Sequence, residues 1–425
     1  MNTIKAAILG IGTVGTGVYK IINNLKDEFP YKIGANLEVS KILVRNKSKQ
    51  REGIDMSLVT DNWADIINDD SIDIIIEVMG GIEPAKTYIE EALRKGKHVV
   101  TANKDLMATQ GHDLLHIAEE HKRDLLFEAS VAGGIPIIRP LKQCLAANNI
   151  TDIMGIINGT TNFILTKMTE DGMEFADALQ LATDLGYAEA DPTADIEGLD
   201  AGRKIAILAS IAFNSSVVFD QVYTEGISNI TAKDIKYADE LGCVVKLIAA
   251  AKNTDEGIEA RVTPMLIPKT HPLASVNDSF NAVFVHGDSL DDAMFYGRGA
   301  GELPTASAIM GDVMDVCRNM AFNCTGRIGC TCYKSLKVKE MKDIHSKYFV
   351  RMTLEDKPGT LAQVTLTFAK NNASIDQMVQ KNKIPGFAEL VFIIDTVREA
   401  QFMDAIDELR KMPYAKEVAS IIRVL

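Results

Sequence analysis

The first third of the chain alternates between two hydrophobic patterns. Short apolar runs rich in β-branched residues occur at Ile4–Leu9, Leu37–Val44, Ile72–Val78, Val99–Ala102 and Leu125–Ala129. Helix-like stretches lie between them, among them Val14–Asn24, Pro84–Lys95 and Gln110–His121. Strands alternating with helices predict a parallel α/β sheet. The middle third reads differently. Residues 172–186 and 198–213 predict helices, the second with Ile205, Leu208 and Ala209 at helical spacing. Strand-like runs follow near Glu259–Leu266 and Asn281–His286. The passage Gly297-Arg298-Gly299-Ala300-Gly301 breaks the pattern before a helix from about Thr305 to Asn323.

A Lys-rich connection, residues 334–347, leads into a last segment with its own order. From Tyr348 the pattern runs strand, turn, helix, strand, strand, helix, strand, ending near Ala419–Val424. This βαββαβ order in about 78 residues is large enough to fold alone. Its turn, Asp356-Lys357-Pro358-Gly359, combines a preset Pro dihedral with a Gly that permits positive φ.

Composition narrows the possibilities. The chain has 425 residues, 47% hydrophobic and 24% charged, which excludes disorder as its main state. At roughly 150 residues per domain, about three domains are expected. The formal net charge of −13 argues against nucleic acid as a main partner. No apolar run approaches the roughly 18 residues of a membrane helix, so no membrane partner is expected. The first nine residues run into a strand and lack signal-peptide character. Six Cys are too few for a disulfide framework, and a reducing cytoplasm is the expected compartment. Four of them fall between Cys317 and Cys332 without a CxxC knuckle, which favours plain thiols over a metal site.

Gly10-Ile11-Gly12-Thr13-Val14-Gly15 matches GxGxxG between a predicted strand and a predicted helix. Gly10 would allow the tight turn, Gly12 the approach of a pyrophosphate, and Gly15 close packing of helix on strand. The helix N-terminus would then face the phosphates. The end of the second strand selects the cofactor. NAD sites place an acid there, whereas Arg45, Lys47, Lys49 and Arg51 put four cations into seven residues. An NADP preference is expected, with NAD also possible. The same cations would suit a solvated basic loop.

The densest polar cluster lies at residues 186–204. It holds Glu189, Asp191, Asp195, Glu197 and Asp200 together with Arg203 and Lys204. Asp200 and Lys204 are four apart and share a helix face with apolar Leu208, so Lys204 should stand at the edge of a core. An ordinary i,i+4 salt bridge would have the same spacing. Thr101-Ala102-Asn103-Lys104 follows the fourth predicted strand, where the carboxyl ends of parallel strands form ligand crevices. Lys104 there can reach a ligand or stay an exposed loop lysine. Asn158-Gly159-Thr160-Thr161-Asn162 can cap a helix beginning near Phe163 or line the pocket.

These motifs, in this order and spacing, resemble the homoserine dehydrogenase family. Residues 10–15, 101–104, 128–138, 158–162, 186–204 and 297–308 carry the resemblance, which covers residues 1 to about 325. The tail from Tyr348 resembles an ACT domain. The resemblance implies an α/β protein with a Rossmann-type dinucleotide-binding domain, an α+β catalytic and dimerisation domain, and a C-terminal βαββαβ ACT domain. Their expected extents are 1–130 with about 305–330, then 131–304, then 348–425. With no kinase portion before the first strand, the monofunctional form is expected.

The activity so implied is NAD(P)-dependent interconversion of L-homoserine and L-aspartate 4-semialdehyde, a step toward threonine, isoleucine and methionine. Lys204 matches the family's proton-donating lysine and Lys104 its second lysine. Glu189, Asp195 and Asp200 match substrate-binding acids. Thr13, Val14, Lys104 and Gly301 match cofactor contacts. A monovalent-cation site, usually sodium, maps onto Glu128, Val131, Gly133 and Ile135, mostly through main-chain carbonyls. L-Threonine is the expected effector of the ACT module, with another amino acid of the pathway as second choice; the module can also be purely structural or dimerising, and a homodimer or homotetramer is expected. One departure is Asn46, where the family often has an acid beside the arginine; Cys330 and Cys332 have no counterpart. The alternatives are another Rossmann-fold amino-acid or semialdehyde dehydrogenase, which should lack the whole 186–204 string, and a non-catalytic amino-acid or redox sensor, which needs no pair of placed lysines.

Overall fold

The computed structural model describes residues 2–425, with the main chain alone for 381–384. Two compact units divide the chain. The first takes residues up to Ile153, Arg203–Asp220 and Asn281–Leu336; the second takes Met154–Gly202, Gln221–Phe280 and Lys337–Leu425.

The first unit opens with β1 (Thr3–Leu9), α1 (Thr13–Asn24), α2 (Phe29–Ile33), β2 (Asn36–Leu43), β3 (Val59–Thr60), α3 (Ala64–Ile67) and β4 (Ile74–Glu77). It continues through α4 (Ala85–Arg94), β5 (His98–Thr101), α5 (Lys104–Glu120) and β6 (Leu125–Leu126). All six strands are parallel, in the order β3-β2-β1-β4-β5-β6. Residues Ile74–Glu77 are fully buried, as a strand covered on both faces requires. The chain builds outward from β1 through β2 and β3, then returns to the other side of β1 with β4. A crevice therefore opens at the carboxyl ends of β1 and β4.

Beyond it, β7 (Ile150–Ile156) passes from the first unit into the second. The second unit holds α6 (Gly159–Glu170), α7 (Phe175–Asp184) and α8 (Thr193–Ile196). Helix α9 (Leu199–Phe213) starts there and ends in the first unit. Next come β8 (Tyr223–Thr224), α10 (Ala232–Glu240), β9 (Cys243–Thr254) and β10 (Gly257–Pro268). Strands β11 (Phe280–Gly287) and β12 (Asp291–Arg298) and helix α11 (Glu302–Ala321) belong to the first unit but for Phe280. Ala306, Ile309, Val313 and Val316 of α11 join Ile8, Val18 and Ile22 in one core.

The tail is β13 (His345–Glu355), α12 (Thr360–Lys370), β14 (Ile375–Ile384), β15 (Phe387–Arg398), α13 (Glu399–Arg410) and β16 (Ala415–Val424), the predicted βαββαβ. Its strands follow the order β16-β13-β15-β14, all antiparallel. Gly359 has φ +91° and leads directly into α12. Within this unit the last residues of β16 also pair with β10 in parallel, Arg423 opposite Met265.

Several boundaries differ from the sequence reading, each for a local reason. Helix α5 starts six residues before Gln110 because Asn103 accepts the N–H of Leu106 and caps it. The helix expected near Phe163 starts at Gly159, capped by Asn158 on the N–H of Thr161. The fifth run is cut to Leu125–Leu126, since the chain turns into a short 3-10 segment at Glu128–Ser130. Helix α11 begins at Glu302, so Pro304 sits in its first turn, where a missing N–H costs nothing. Gly297 and Arg298 end a strand.

His98, buried at the start of β5, makes the sheet sensitive to acid. Its Nδ1 accepts the main-chain N–H of Asp124 at 3.1 Å, so that nitrogen carries no proton. Its 3.7 Å approach to the Asp124 carboxylate is therefore not an ion pair. Burial lowers the imidazole pKa from 6.5 to about 4. The unfolded chain binds this proton more readily than the native one, so the contribution is complete above pH 6.5 and is lost as pH falls toward 4. Urea unfolding should show a loss of about 2 kcal/mol between pH 7 and pH 5 from this group. His98→Asn should flatten the slope by that amount; an equal slope in the variant would remove His98 as its source.

Candidate active site

The glycine turn is built by contact distances. Gly10 has φ +100°, and a Cβ on it would lie 2.9 Å from the Val78 carbonyl oxygen. A Cβ on Gly15 would lie 2.2 Å from the Gly10 carbonyl oxygen, which fixes how closely α1 packs on the turn. Nothing lies within 4 Å of a Cβ on Gly12. Gly12 is the N-cap of α1 and no side chain caps that end, so Thr13 and Val14 open an uncapped helix N-terminus. This is the cradle a dinucleotide pyrophosphate requires.

The crevice in front is lined by the ends of β1, β2 and β4, with Gly10, Gly12, Arg45, Arg51, Asp61 and Gly80 among its walls. Arg51 donates to the carbonyls of Lys49 and Asn46 at 2.6 and 3.2 Å, so it braces its own loop. Lys47 is ion-paired with Asp61 at 3.0 Å. Of the four cations, Arg45 and Arg51 line the crevice and Lys47 is engaged at its edge.

The lysines follow from neighbouring contacts in the same unit. Glu77, fully buried at the end of β4, accepts the N–H of Met79 at 2.8 Å and of Gly80 at 3.3 Å. Its other oxygen accepts the Thr101 hydroxyl at 2.6 Å. Thr101 in turn accepts the N–H of Asn103, and Asn103 donates to the Gly81 carbonyl at 2.6 Å. Lys104, half-buried, is the first residue of the helix that Asn103 caps. The next residue, Asp105, is ion-paired with Arg203 at 2.7 Å. Arg203 immediately precedes Lys204, which is buried. Gly301, with φ +122°, is the N-cap of α11. That helix lies so close to α1 that a Cβ on Gly17 would meet the Glu302 carbonyl oxygen at 2.7 Å.

In the second unit the acids collect around one amide. Asn158 Nδ2 donates to Asp195 at 2.7 Å and to Asp200 at 2.9 Å, while its Oδ1 caps α6. Asp200 is buried and Asp195 half-buried. Glu189 is exposed, two residues after Tyr187, whose carbonyl accepts the Thr160 hydroxyl at 2.7 Å. Asn162 does a different job from Asn158. Its Nδ2 reaches the carbonyls of Val276, Asp278 and Phe280, and its Oδ1 accepts from Lys246 at 3.1 Å. Burial pushes Lys246 down to about 8.

Glu128, Val131, Gly133 and Ile135 are all buried. The Glu128 carboxylate accepts the N–H groups of Ile137, Ile138 and Arg139 at 2.5 to 2.7 Å. Its own N–H donates to Asp312 of α11 at 2.8 Å, and Arg139 pairs with the other oxygen of Asp312 at 2.5 Å. Burial, and then the nearby Glu128, push Asp312 up to about 7 against the pull of Arg139. Ala132 and Gly133 both have positive φ, and a Cβ on Gly133 would lie 2.3 Å from the Gly299 carbonyl oxygen.

A family model for homoserine dehydrogenase matches residues 136–314, one for the homoserine dehydrogenase NAD binding domain matches 10–128, and one for the ACT domain matches 348–413. A homoserine dehydrogenase of Bacillus subtilis is 42% identical over all of this chain and 99% of its own. The chain belongs to the homoserine dehydrogenase family. The crystal structure of a homoserine dehydrogenase from Thiobacillus denitrificans superposes with a TM-score of 0.95 at 39% identity, covering 100% of this chain and 99% of that one. A hyperthermophilic archaeal homoserine dehydrogenase in complex with NADPH matches 74% of this chain and 97% of its own, with TM-score 0.63 and 28% identity. Homoserine dehydrogenases are oxidoreductases acting on a CH–OH group, and this one carries a nicotinamide-dinucleotide domain and an ACT domain.

Sequence reasoning missed Glu77, Asp105 and Asp312. Glu77 had a visible signal, an acid closing an apolar run at a strand's carboxyl end. Asp312 had none, because an acid on a long helix is ordinary. Gly12 and Gly15 predict opposite outcomes. Gly12→Ala should melt within about 1 °C of the parent yet bind dinucleotide more weakly by about tenfold, since its methyl enters only the crevice. Gly15→Ala should lower Tm by several degrees, because backbone must move. Thermal melts and cofactor fluorescence titrations check both; a Gly12→Ala protein that binds like the parent would separate Gly12 from the pyrophosphate.

Proposed function

We propose that Lys204 and Lys104 carry the interconversion of L-homoserine and L-aspartate 4-semialdehyde. The observation behind this is the Asp105–Arg203 ion pair, which holds the chain neighbours of both lysines together within the first unit. The nicotinamide, when bound, supplies or removes the hydride. In the reducing direction negative charge grows on the carbonyl oxygen. A lysine ammonium stabilises that oxygen and gives it a proton, and the same amine takes the hydroxyl proton in the oxidising direction. Lys204 has that role and Lys104 supports cofactor and substrate. The substrate carries a fixed ammonium, which acids must hold; Glu189, Asp195 and Asp200 are read as those acids. The amide of Asn158 between the last two keeps their oxygens in fixed positions.

Gly10, Gly12, Thr13, Val14, Gly15 and Gly301 are read as cofactor contacts. Arg45 on the crevice wall supports NADP as preferred cofactor, with NAD also used. The NADPH-bound archaeal relative supports the same reading. The main-chain carbonyls of Glu128, Val131, Gly133 and Ile135 are read as a cradle for a monovalent cation, sodium by class. The Glu128 carboxylate is already taken up by three amides, which leaves this role to the main chain. The functional division follows the sequence: 1–130 with 305–330 for cofactor, 131–304 for catalysis and dimerisation, 348–425 for regulation.

The ACT tail is read as a sensor of L-threonine, acting in a homodimer or homotetramer. Buried arginines tie it to the middle segment of its own unit. Arg423 donates to Glu225 at 2.5 Å and to Glu399 at 2.6 Å, and Arg351 donates to Asp234 at 2.9 Å. Six free thiols fit a reducing compartment such as the cytoplasm, and among the described residues no helix is long and apolar enough to cross a membrane.

One assay tests these roles: homoserine oxidation with NADP or NAD, with and without threonine. Lys204→Met should fold and lose about 10²–10³ in kcat, the scale of one oxyanion donor. Near-parental turnover would take Lys204 out of the mechanism. Arg45→Ala should raise KM for NADP about tenfold and leave NAD nearly unchanged, as loss of one charge-assisted phosphate contact would. Equal effects on both cofactors would refute the NADP reading. Threonine should inhibit the parent, and no response would remove the sensing role.

A further inference from the structure

Helix α5 carries a second chemistry, away from Lys104. His112 and His116 stand one turn apart on its exposed face, with their Nε2 atoms 3.2 Å apart. Cys330, in the segment after α11, brings its Sγ to 3.4 Å from His112 Nδ1. One ligand atom from each of the three lies within 4.8 Å of the other two. All three belong to the first unit. We propose that His112, His116 and Cys330 bind a thiophilic divalent cation of the zinc class.

The three groups lie within reach of such an ion. Tetrahedral zinc, with nitrogen at about 2.0–2.1 Å and sulfur at about 2.3 Å, separates two nitrogens by about 3.3 Å and nitrogen from sulfur by about 3.5 Å. The 3.2 Å contact is close to the nitrogen–nitrogen edge, while the 3.4 Å contact involves the other nitrogen of His112, so only one of the two can be an edge around a single ion. The adjustment needed is in the His112 ring, which faces the thiol with one nitrogen and His116 with the other, and turns about χ2 to offer one of them. Both histidines are exposed, so side-chain rotation suffices. His116 Nδ1 lies 3.7 Å from the Glu119 carboxylate, which would have to close to hydrogen-bond distance to orient a ligating imidazole.

Two nitrogens and a sulfur select against magnesium and calcium, which take oxygen ligands. On binding, the Cys330 thiol gives its proton to solvent and the imidazoles ligate as neutral rings. The half-buried Lys142 donates to the carbonyl of Gly329, the residue before Cys330, at 3.0 Å. Water completes the fourth position. The bound ion would clamp the chain around Cys330 to α5, the helix whose first residue is Lys104.

Cobalt(II) is the probe, added to the reduced full-length protein. One equivalent should produce a thiolate-to-cobalt charge-transfer band in the near ultraviolet, which zinc abolishes. Cys330→Ser should lose the band. His116→Ala, an exposed helical substitution that leaves the fold intact, should weaken cobalt binding about tenfold or more. Zinc should raise the Tm of the parent and of neither variant. No band in the parent, a band that survives Cys330→Ser, or unchanged affinity in His116→Ala would each overturn the site.

Discussion

The Glu77 carboxylate is the constraint on which the nucleotide-binding half of the first unit depends. It sits fully buried at the end of β4, and every contact it makes fixes a loop. One oxygen holds Met79 and Gly80, which face the crevice beside Gly10. The other holds Thr101, which sets Asn103, which caps α5 and thereby places Lys104. A buried charge lacking such donors would be strongly unfavourable, so the loops cannot drift without leaving it unsatisfied. The cofactor crevice and the first lysine are therefore positioned by one hydrogen-bonded chain.

The chain neighbour of the second lysine is tied to this arrangement. Asp105 follows Lys104 on the capped helix and pairs with Arg203, the residue before Lys204. A cap at the start of α5 and an ion pair to α9 restrict side chains that would otherwise be flexible. The acids of the second unit use the same economy. Asn158 joins Asp195 to Asp200 and caps α6 with the same side chain, so a helix terminus and a pair of acids are specified together.

What was legible in the sequence follows from range. The parallel sheet, the glycine turn and the βαββαβ tail were readable, because each is written in local periodicity and turn chemistry. Helix starts were read late at α5 and α6. There the cap residue, Asn103 or Asn158, stands several residues before the apolar pattern becomes regular. The motif at 158–162 reads as one polar patch, yet Asn158 serves the acids and Asn162 braces three carbonyls and Lys246. That division is set by residues about 80 to 120 positions away, Lys246 and Val276 to Phe280, which no local pattern reveals. Asp312 was invisible for the same reason, since its partners Glu128 and Arg139 lie some 170 to 190 residues earlier.

The tail illustrates why buried charge is informative where it joins segments. Its own core is apolar and closed, built on Tyr348, Val350, Phe368, Phe392 and Phe402. Its contacts with the middle segment of the same unit are instead carried in part by Arg351 and Arg423, each bridging an acid of one segment and an acid of the other. Apolar packing of equal volume would give comparable or greater stability, whereas removing one partner of such a pair costs about 3–5 kcal/mol. A joint of this kind adds little net stability and penalises any other register, because sliding the tail against β10 would part each guanidinium from its carboxylate on the middle segment. For the regulatory reading this is the useful property. A ligand could bias such a joint only if a second register existed for it to favour.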